Sequence, residues 1–184
     1  MSKIILIAGA SGVAKSSTSK KLSELYGITH RIGSGFVREM AKSFISEKDK
    51  PSLYRYSFYQ DSEISAFENL YSQSEIIQPM MQLAIDRAYR EGTGLIVEGV
   101  NVIPGLTLMH YKEIQPVVLY VEDEAKHFEM INGETHANRH VSQQQLKLVR
   151  DIQHVLIKRA AEYNWPAIDI TKEGGEHELR SCLL

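Results

Sequence analysis

The sequence predicts an α/β fold in which short parallel strands alternate with longer helices. Five apolar runs rich in β-branched residues are the candidate strands, and helical patterns separate them along the 184 residues. Strands joined by helical crossovers form parallel sheets, and continuous apolar runs are typical of strands covered on both faces. No repeat, low-complexity tract or Pro/Gly/Ser-rich linker divides the chain, so we expect one domain over residues 1–184.

Hydrophobic periodicity assigns the individual elements. The strands are predicted at residues 4–8, 29–32, 95–97, 117–121 and 167–170. In the helical segments the apolar side chains recur three and four residues apart, which places them on one face. These segments are 15–26, 36–45, 58–90, 123–131 and 142–163. Pro79 lies inside the longest one and should kink or split it, because proline removes a backbone donor.

Composition restricts the partners. The chain has 21 Lys and Arg against 23 Asp and Glu, a net charge of -2, which disfavours a dedicated nucleic-acid binder without excluding one. The apolar run 4–8 is too short to span a membrane, and the single Cys182 suits a reducing compartment. We therefore expect a cytoplasmic protein with a small-molecule partner and no membrane partner. The sequence does not indicate the oligomeric state.

The strongest functional signal is a glycine-containing loop between the first strand and the first helix. It comprises Gly9, Ala10, Ser11, Gly12, Val13, Ala14, Lys15, Ser16 and Ser17. A loop in this position lets successive backbone N–H groups converge on the phosphates of a nucleotide at a helix N-terminus. We expect these residues to bind ATP, with Lys15 placing a charge on the phosphates and the Ser16 hydroxyl serving as a Mg²⁺ ligand.

One position of this loop departs from the GxxxxGK[ST] pattern, because Ala14 stands where the second glycine belongs. Alanine tolerates a negative φ but is strained at a positive φ. Since Gly9, Gly12, Lys15 and Ser16 are in place, we predict a negative φ at Ala14 and a loop that closes on phosphate as usual.

A carboxylate follows the third predicted strand. Glu98 ends the apolar run 95–97 at the edge where a parallel sheet presents its ligand site, so we expect it to orient Mg²⁺ or hold the acceptor. A structural glutamate bonded to backbone donors is the alternative.

Among the histidines, only His136 and His140 have a chelating spacing, and without a nearby cysteine we interpret them as structural or surface residues.

Three stretches resemble the P-loop kinases of the nucleoside monophosphate kinase type, and within them the 2-phosphoglycerate kinase group. The first is the loop 9–17, which very many kinases share. The second is the segment 96–105, and the third is 120–128, continued by 149–153 and 166–169. The second and third are more particular to this group, and together the three stretches span most of the chain.

The resemblance implies a five-stranded parallel sheet flanked by helices, ATP and Mg²⁺ at the loop, and a small lid with a cationic finger. The lid is predicted at about residues 133–141, where Arg139 is the only arginine. Arg139 is therefore our candidate for stabilising charge on the transferring phosphoryl group. A solvated surface arginine is the alternative.

The resemblance also implies an acceptor site between Arg38 and the segment 98–105, which contains Asn101. Arg55 belongs to the region that lines the acceptor pocket in this fold, and guanidinium groups suit carboxylates and phosphates. We therefore predict that Arg38, Arg55, Glu98 and Asn101 bind the acceptor.

The chain departs from the family pattern after the second strand. Ser34 and Gly35 stand where such kinases usually place a serine or threonine followed by aspartate. That aspartate often holds the acceptor hydroxyl, and its role could pass to Glu39, Asp61 or Glu98.

These features predict an ATP- and Mg²⁺-dependent phosphotransferase for a small anionic acceptor, such as 2-phosphoglycerate or a related phosphorylated metabolite. A kinase for a nucleotide, a nucleic-acid end or a sugar nucleotide is an alternative, as is a noncatalytic nucleotide-binding switch. A switch normally carries a base-specificity motif and a second phosphate sensor, and the sequence shows neither. Compact size and the lid-like segment favour the kinase.

Overall fold

The computed structural model describes residues 3–107, 111–133 and 140–183. Its strands are β1 (Ile4–Ala8), β2 (His30–Gly33), β3 (Leu95–Glu98), β4 (Ile114–Tyr120) and β5 (Ala167–Asp169). Its helices are α1 (Lys15–Tyr26), α2 (Ser34–Ala41), α3 (Ala66–Glu91), α4 (Glu124–Ile131), α5 (Gln143–Glu162) and α6 (Gly175–Cys182), and a 3₁₀ helix covers Pro51–Tyr54.

The five strands form one sheet in the order β2-β3-β1-β4-β5, and every neighbouring pair is parallel. The predicted fold class is confirmed. Because the strands are parallel, their carboxyl ends meet at one edge of the sheet. There Glu98 lies opposite Ile7 of β1 and Gly33 of β2. The segments that follow β1, β2 and β3 are thereby brought together.

Both faces of the sheet are covered, as the continuous apolar strands require. Side chains of a strand alternate between the two faces. In β1, Ile4 and Leu6 pack into a core shared with α3 and α5, whereas Ile5 and Ile7 pack into a second core that includes residues of α1 and α6. All four of these side chains are at most 1 % exposed.

Helix caps explain where the predicted helices begin. A capping box at Ser65 starts α3, and a second one at Ser142 starts α5. The predicted start of the long helix at residue 58 is therefore wrong, and α2 also ends earlier than predicted, at Ala41. Helix α6 was missed because its buried surface is small; Leu179 is its one buried apolar side chain.

Pro79 does not split the long helix, so that part of the prediction that it would kink or split it is wrong. Helix α3 is 26 residues long and is continuous through Pro79. Both Pro79 and Glu75, whose carbonyl loses a helical partner, are exposed. Water can therefore satisfy that carbonyl, which lowers the cost of the missing bond.

Within the described part of the chain, no helix has the length and apolar character needed to cross a membrane.

Candidate active site

A cleft of about 780 Å³ opens at the carboxyl edge of the sheet. Its walls are the loop after β1, the start of α1, the junction of β2 with α2, and the end of β3. Its charged lining consists of four cationic side chains and two carboxylates: Lys15, Lys20, Arg31, Arg38, Glu39 and Glu98.

The predicted phosphate loop forms the floor of this cleft. Residues 11–17 line it directly, and α1 begins at Lys15. A helix N-terminus carries unpaired N–H groups and partial positive charge, so it attracts anions. The Lys15 ammonium donates to the Ala10 carbonyl, with Nζ and O 2.5 Å apart. The lysine thus lies over the loop where a phosphate would need its charge.

Ala14 adopts a left-handed conformation, so the prediction of a negative φ there was wrong. Its φ is 57° and its ψ is 23°, and it is the N-cap residue of α1. The backbone is left-handed at this residue and becomes right-handed in the helix that follows. Glycine is favoured in such a turn because the Cβ atom of an L residue comes too close to the carbonyl oxygen of the same residue. The loop keeps the glycine geometry and accepts strain at the alanine.

Ser16 and Glu98 meet at the centre of the cleft. The Ser16 hydroxyl donates to Glu98 Oε1 over 2.7 Å. Hydroxyl and carboxylate oxygens are hard ligands of the type that Mg²⁺ accepts, together with phosphate oxygens and water. The pair therefore fits a magnesium ion that a nucleotide carries. No group of three or more His, Cys, Asp or Glu side chains capable of holding a metal occurs among the described residues.

The start of α2 packs against the turn after β3. Gly99 has a φ of 147°, and a Cβ built there would lie 1.8 Å from Ser34 Oγ. Ser34 donates to Asn101 Oδ1 over 3.3 Å, and the Asn101 amide donates to Ser74 Oγ over 3.1 Å. These side chains are 1 % exposed or less. Asn101 therefore lies beneath the cleft and joins α2 to α3, rather than reaching the acceptor region directly.

Arg38 lies in the cleft wall, and the prediction that it binds the acceptor stays a prediction. Its guanidinium donates to the Arg55 carbonyl and to Gln73 Oε1, each over 3.4 Å, and to Glu39 Oε1 over 3.3 Å. A hydrogen bond from Lys42 holds the pKa of Glu39 below its ordinary value, and Arg38 acts in the same direction. Glu39 is therefore a weak base that helps to hold Arg38 in place.

Two other residues considered for the acceptor lie away from this cleft. The Arg55 guanidinium stacks 4.3 Å from the centre of the Tyr59 ring and lies 4.0 Å from Asp61. The carboxylate of Asp61 accepts from the N–H groups of Glu63 and Ile64, which lowers its pKa. Arg55 supports the cleft wall with its backbone carbonyl, which accepts a hydrogen bond from Arg38, and not with its charged guanidinium.

Most of the predicted lid lies outside the described residues. These include Arg139 and His136, so the predictions made for them stay predictions. The described ends of the segment are held together by Asn132, whose side chain accepts from Val141 N–H over 2.8 Å and donates to the Val141 carbonyl over 3.1 Å.

Sequence reasoning missed several cleft residues, among them Lys20, Arg31 and Phe36. Lys20 follows Ser16 by four positions in α1, so the helical period already placed it on the cleft face. Arg31 lies in β2, one strand away from Glu98. Nothing in the pattern marked Phe36, which is 78 % exposed.

The sheet order, the loop and the paired Ser16 and Glu98 define a class: the chain has the P-loop kinase fold. Shikimate kinase from Acinetobacter baumannii has a TM-score of 0.59 at 11% identity, with 100% of this chain and 92% of that one covered. A gluconokinase from Sinorhizobium meliloti 1021 has a TM-score of 0.53 at 15% identity, with 98% and 91% covered.

Within this class the sequence is similar to 2-phosphoglycerate kinases, which confirms the resemblance predicted from the motifs. The Methanopyrus kandleri protein of that name is 29% identical over 182 residues, which are 90% of this chain and 55% of the relative. The Pyrococcus furiosus protein is 29% identical over 181 residues, 90% and 58% respectively. The chain thus spans a little over half the length of these curated relatives. No family model matches it.

Proposed function

We propose that this chain is an ATP- and Mg²⁺-dependent phosphotransferase that acts on a small phosphorylated carboxylic acid, with 2-phosphoglycerate as the first candidate. The observation that carries the proposal is the contact between Ser16 and Glu98 over 2.7 Å. It joins the phosphate loop to the end of the neighbouring strand β3 in a cleft that also contains Arg38. The names of the similar proteins support the same reaction class.

The loop side of the cleft suits the nucleotide. The N-terminus of α1 offers N–H donors to the phosphates, and Lys15 adds a positive charge beside them. Ser16 and Glu98 would hold the magnesium ion, whose chemistry is to neutralise charge on the β- and γ-phosphate oxygens. Glu98 contacts the Ser16 hydroxyl directly, so it would orient this ligand or a water beside it.

The opposite side suits an anionic acceptor. Arg31 and Arg38 lie on the β2 and α2 wall of the cleft, and the Arg38 guanidinium is held by three acceptors within the protein. A fixed guanidinium binds carboxylate or phosphate at a lower entropic cost than a mobile one. Two arginines on one wall match an acceptor with two anionic groups.

Transfer then depends mainly on positioning. An acceptor oxygen attacks the γ-phosphorus, the bond from that phosphorus to the bridging oxygen of ADP breaks, and the acceptor hydroxyl gives up its proton to Glu98 or to solvent. Such transfer needs little covalent participation by the protein. Between the two carboxylates that line the cleft, Glu39 is committed to Arg38 and Lys42. Glu98 is the better placed of the two to accept a hydrogen bond from the acceptor hydroxyl.

The experiment is ³¹P NMR of ATP, Mg²⁺ and protein with a panel of acceptors. The panel contains 2-phosphoglycerate, 3-phosphoglycerate, glycerate and nucleoside monophosphates. We expect ADP and a new phosphate ester only with a phosphorylated carboxylic acid. Transfer to a nucleoside monophosphate alone would contradict the acceptor class, and no transfer to any acceptor would contradict the kinase proposal.

A pair of variants tests the acceptor wall. Arg38→Ala should raise the acceptor KM by about tenfold or more, since it removes a charged hydrogen-bond donor. Arg87→Ala is the control, because that arginine is 71% exposed on α3 and pairs only with Glu91 among the described side chains. Equal KM values for both variants would remove Arg38 from the acceptor site.

A further inference from the structure

A buried histidine touches the back of the phosphate loop. His127 of α4 is 0% exposed, and its Nε2 lies 2.7 Å from the Ser11 carbonyl oxygen. A carbonyl only accepts hydrogen bonds, so Nε2 must carry the proton. The other ring nitrogen, Nδ1, is buried and has no hydrogen-bond partner among the residues that the structure describes.

The same face of α4 makes a second contact with the loop. Ile131 follows His127 by four residues, which is one helical turn, and it is also 0% exposed. Gly12 has a φ of 84°, and a Cβ built there would lie 2.6 Å from Ile131 Cβ. The loop therefore rests on α4 through one hydrogen bond at Ser11 and one close backbone contact at Gly12.

These contacts fix the peptide that joins Ser11 to Gly12. It is a trans peptide, in which the carbonyl and the following N–H point in opposite directions. With the Ser11 carbonyl held toward His127, the Gly12 N–H faces away from α4. No acceptor for this N–H occurs in the described part of the chain, and Gly12 lines the cleft.

We propose that His127 is a positioning residue that orients the Gly12 N–H as a donor to the bound phosphates. The inference rests on the proposed function, since it assumes that the loop binds a nucleotide. His127 touches neither the nucleotide nor the acceptor in this role. It acts through the Ser11 carbonyl, and its value is that the donor is aligned before the ligand arrives.

The ring is neutral in this role. Burial is the largest influence on the pKa of His127 and lowers it, and it outweighs the hydrogen bond to the Ser11 carbonyl, which raises the pKa. The charged groups that act on the ring are Arg150 of α5 and Lys15 of α1, which lower its pKa, and Glu124 of α4, which raises it. A protonated ring would keep the Nε2 donor but would bury a charge and an unpaired Nδ1–H. The neutral tautomer with hydrogen on Nε2 is thus the working form.

Two substitutions separate the hydrogen bond from packing. His127→Gln keeps an N–H donor at about the reach of Nε2, whereas His127→Leu fills the space without a donor. Calorimetric titration with Mg²⁺ and ATP should give a Kd about tenfold higher for His127→Leu, and a Kd within about threefold of the native value for His127→Gln. Val149→Ala, in the buried face of α5, is the control for general loss of stability and should leave the Kd unchanged.

The outcomes distinguish this inference from the proposed function. If the unsubstituted protein binds no nucleoside triphosphate, the proposed function fails. If it binds and His127→Leu binds equally well, or if Val149→Ala weakens binding as much, the positioning role is wrong. A readout without nucleotide is ¹⁵N NMR of labelled histidine, which should show one proton on Nε2 and none on Nδ1 at pH 7. The opposite tautomer would also overturn the inference.

Discussion

The left-handed Ala14 gives a prediction whose sign is decided by the backbone. An L residue in this conformation costs roughly 1–2 kcal/mol relative to its right-handed form, and Ala14→Gly removes that strain. Glycine also makes the unfolded chain more flexible, which costs about 0.4–1 kcal/mol. The net expectation is a gain in the free energy of unfolding of about 0.5–1 kcal/mol. For a chain of this length that is a rise in Tm of about 1–4 °C.

Ala10→Gly is the matched control, because it makes the same change in the same loop. Ala10 is 0% exposed and is not among the positive-φ residues. Glycine there should lower the free energy of unfolding by about 1 kcal/mol. Urea denaturation of the two variants should therefore move the midpoint in opposite directions. A destabilised Ala14→Gly variant would refute the left-handed assignment.

The affinity for nucleotide should respond less than stability does. Ala14 is the N-cap of α1, so its left-handed turn is set by how the folded loop enters the helix, and we expect its cost to fall on folding more than on binding. We expect Ala14→Gly to bind Mg²⁺ and ATP within a few-fold of the native Kd. A tenfold gain would mean that Ala14 holds the native loop away from its binding conformation, and it would favour the noncatalytic switch.

Three further predictions follow from single contacts. Glu98→Gln should lower turnover by about tenfold, which corresponds to a barrier about 1.4 kcal/mol higher. The loss should be largest at limiting Mg²⁺, and native rates at limiting Mg²⁺ would show that Glu98 has a structural role instead. Gly99→Ala should lower the free energy of unfolding by more than about 1 kcal/mol in urea denaturation, because its Cβ would overlap Ser34 Oγ; an unchanged midpoint would contradict this packing. Because burial lowers the pKa of His127, the unfolded chain takes up its proton first. The free energy of unfolding should therefore fall as the pH drops from about 6.5, the pKa in the unfolded chain, to the lower pKa of His127 in the folded protein. His127→Gln should flatten that part of the pH profile, and an unaltered profile would show that another group is responsible.

Features set by local sequence were predictable. The strands and the loop 9–17 depend on short apolar runs and on a motif that spans nine residues, and the structure places them at or within a few residues of the predicted positions. The capping box at Ser65 offered a signal that would have fixed the start of α3, whereas the start predicted at residue 142 agrees with the cap at Ser142. Helix α6, with little buried apolar surface, offered almost none.

Features set by contacts between distant segments were not predictable in the same way. Arg38 and Arg55 have the same chemistry, and only the packing of α2 against Gln73 and the Arg55 carbonyl decides which guanidinium reaches the cleft. The φ of Ala14 depends on how the loop must enter α1. The sequence likewise contained His127, but its contact with Ser11 spans 116 positions of the chain.

Calorimetric titration of Mg²⁺ and ATP into the native protein and Lys15→Ala tests the central claim most directly. Lys21→Ala is the control, since that lysine lies on the same helix and pairs with Glu176 away from the cleft. We predict saturable one-site binding to the native protein and to Lys21→Ala, and a Kd at least about tenfold higher for Lys15→Ala, because a charged donor to the phosphates is lost. Equal Kd values for Lys15→Ala and the native protein would contradict the account of the loop 9–17 as the nucleotide site.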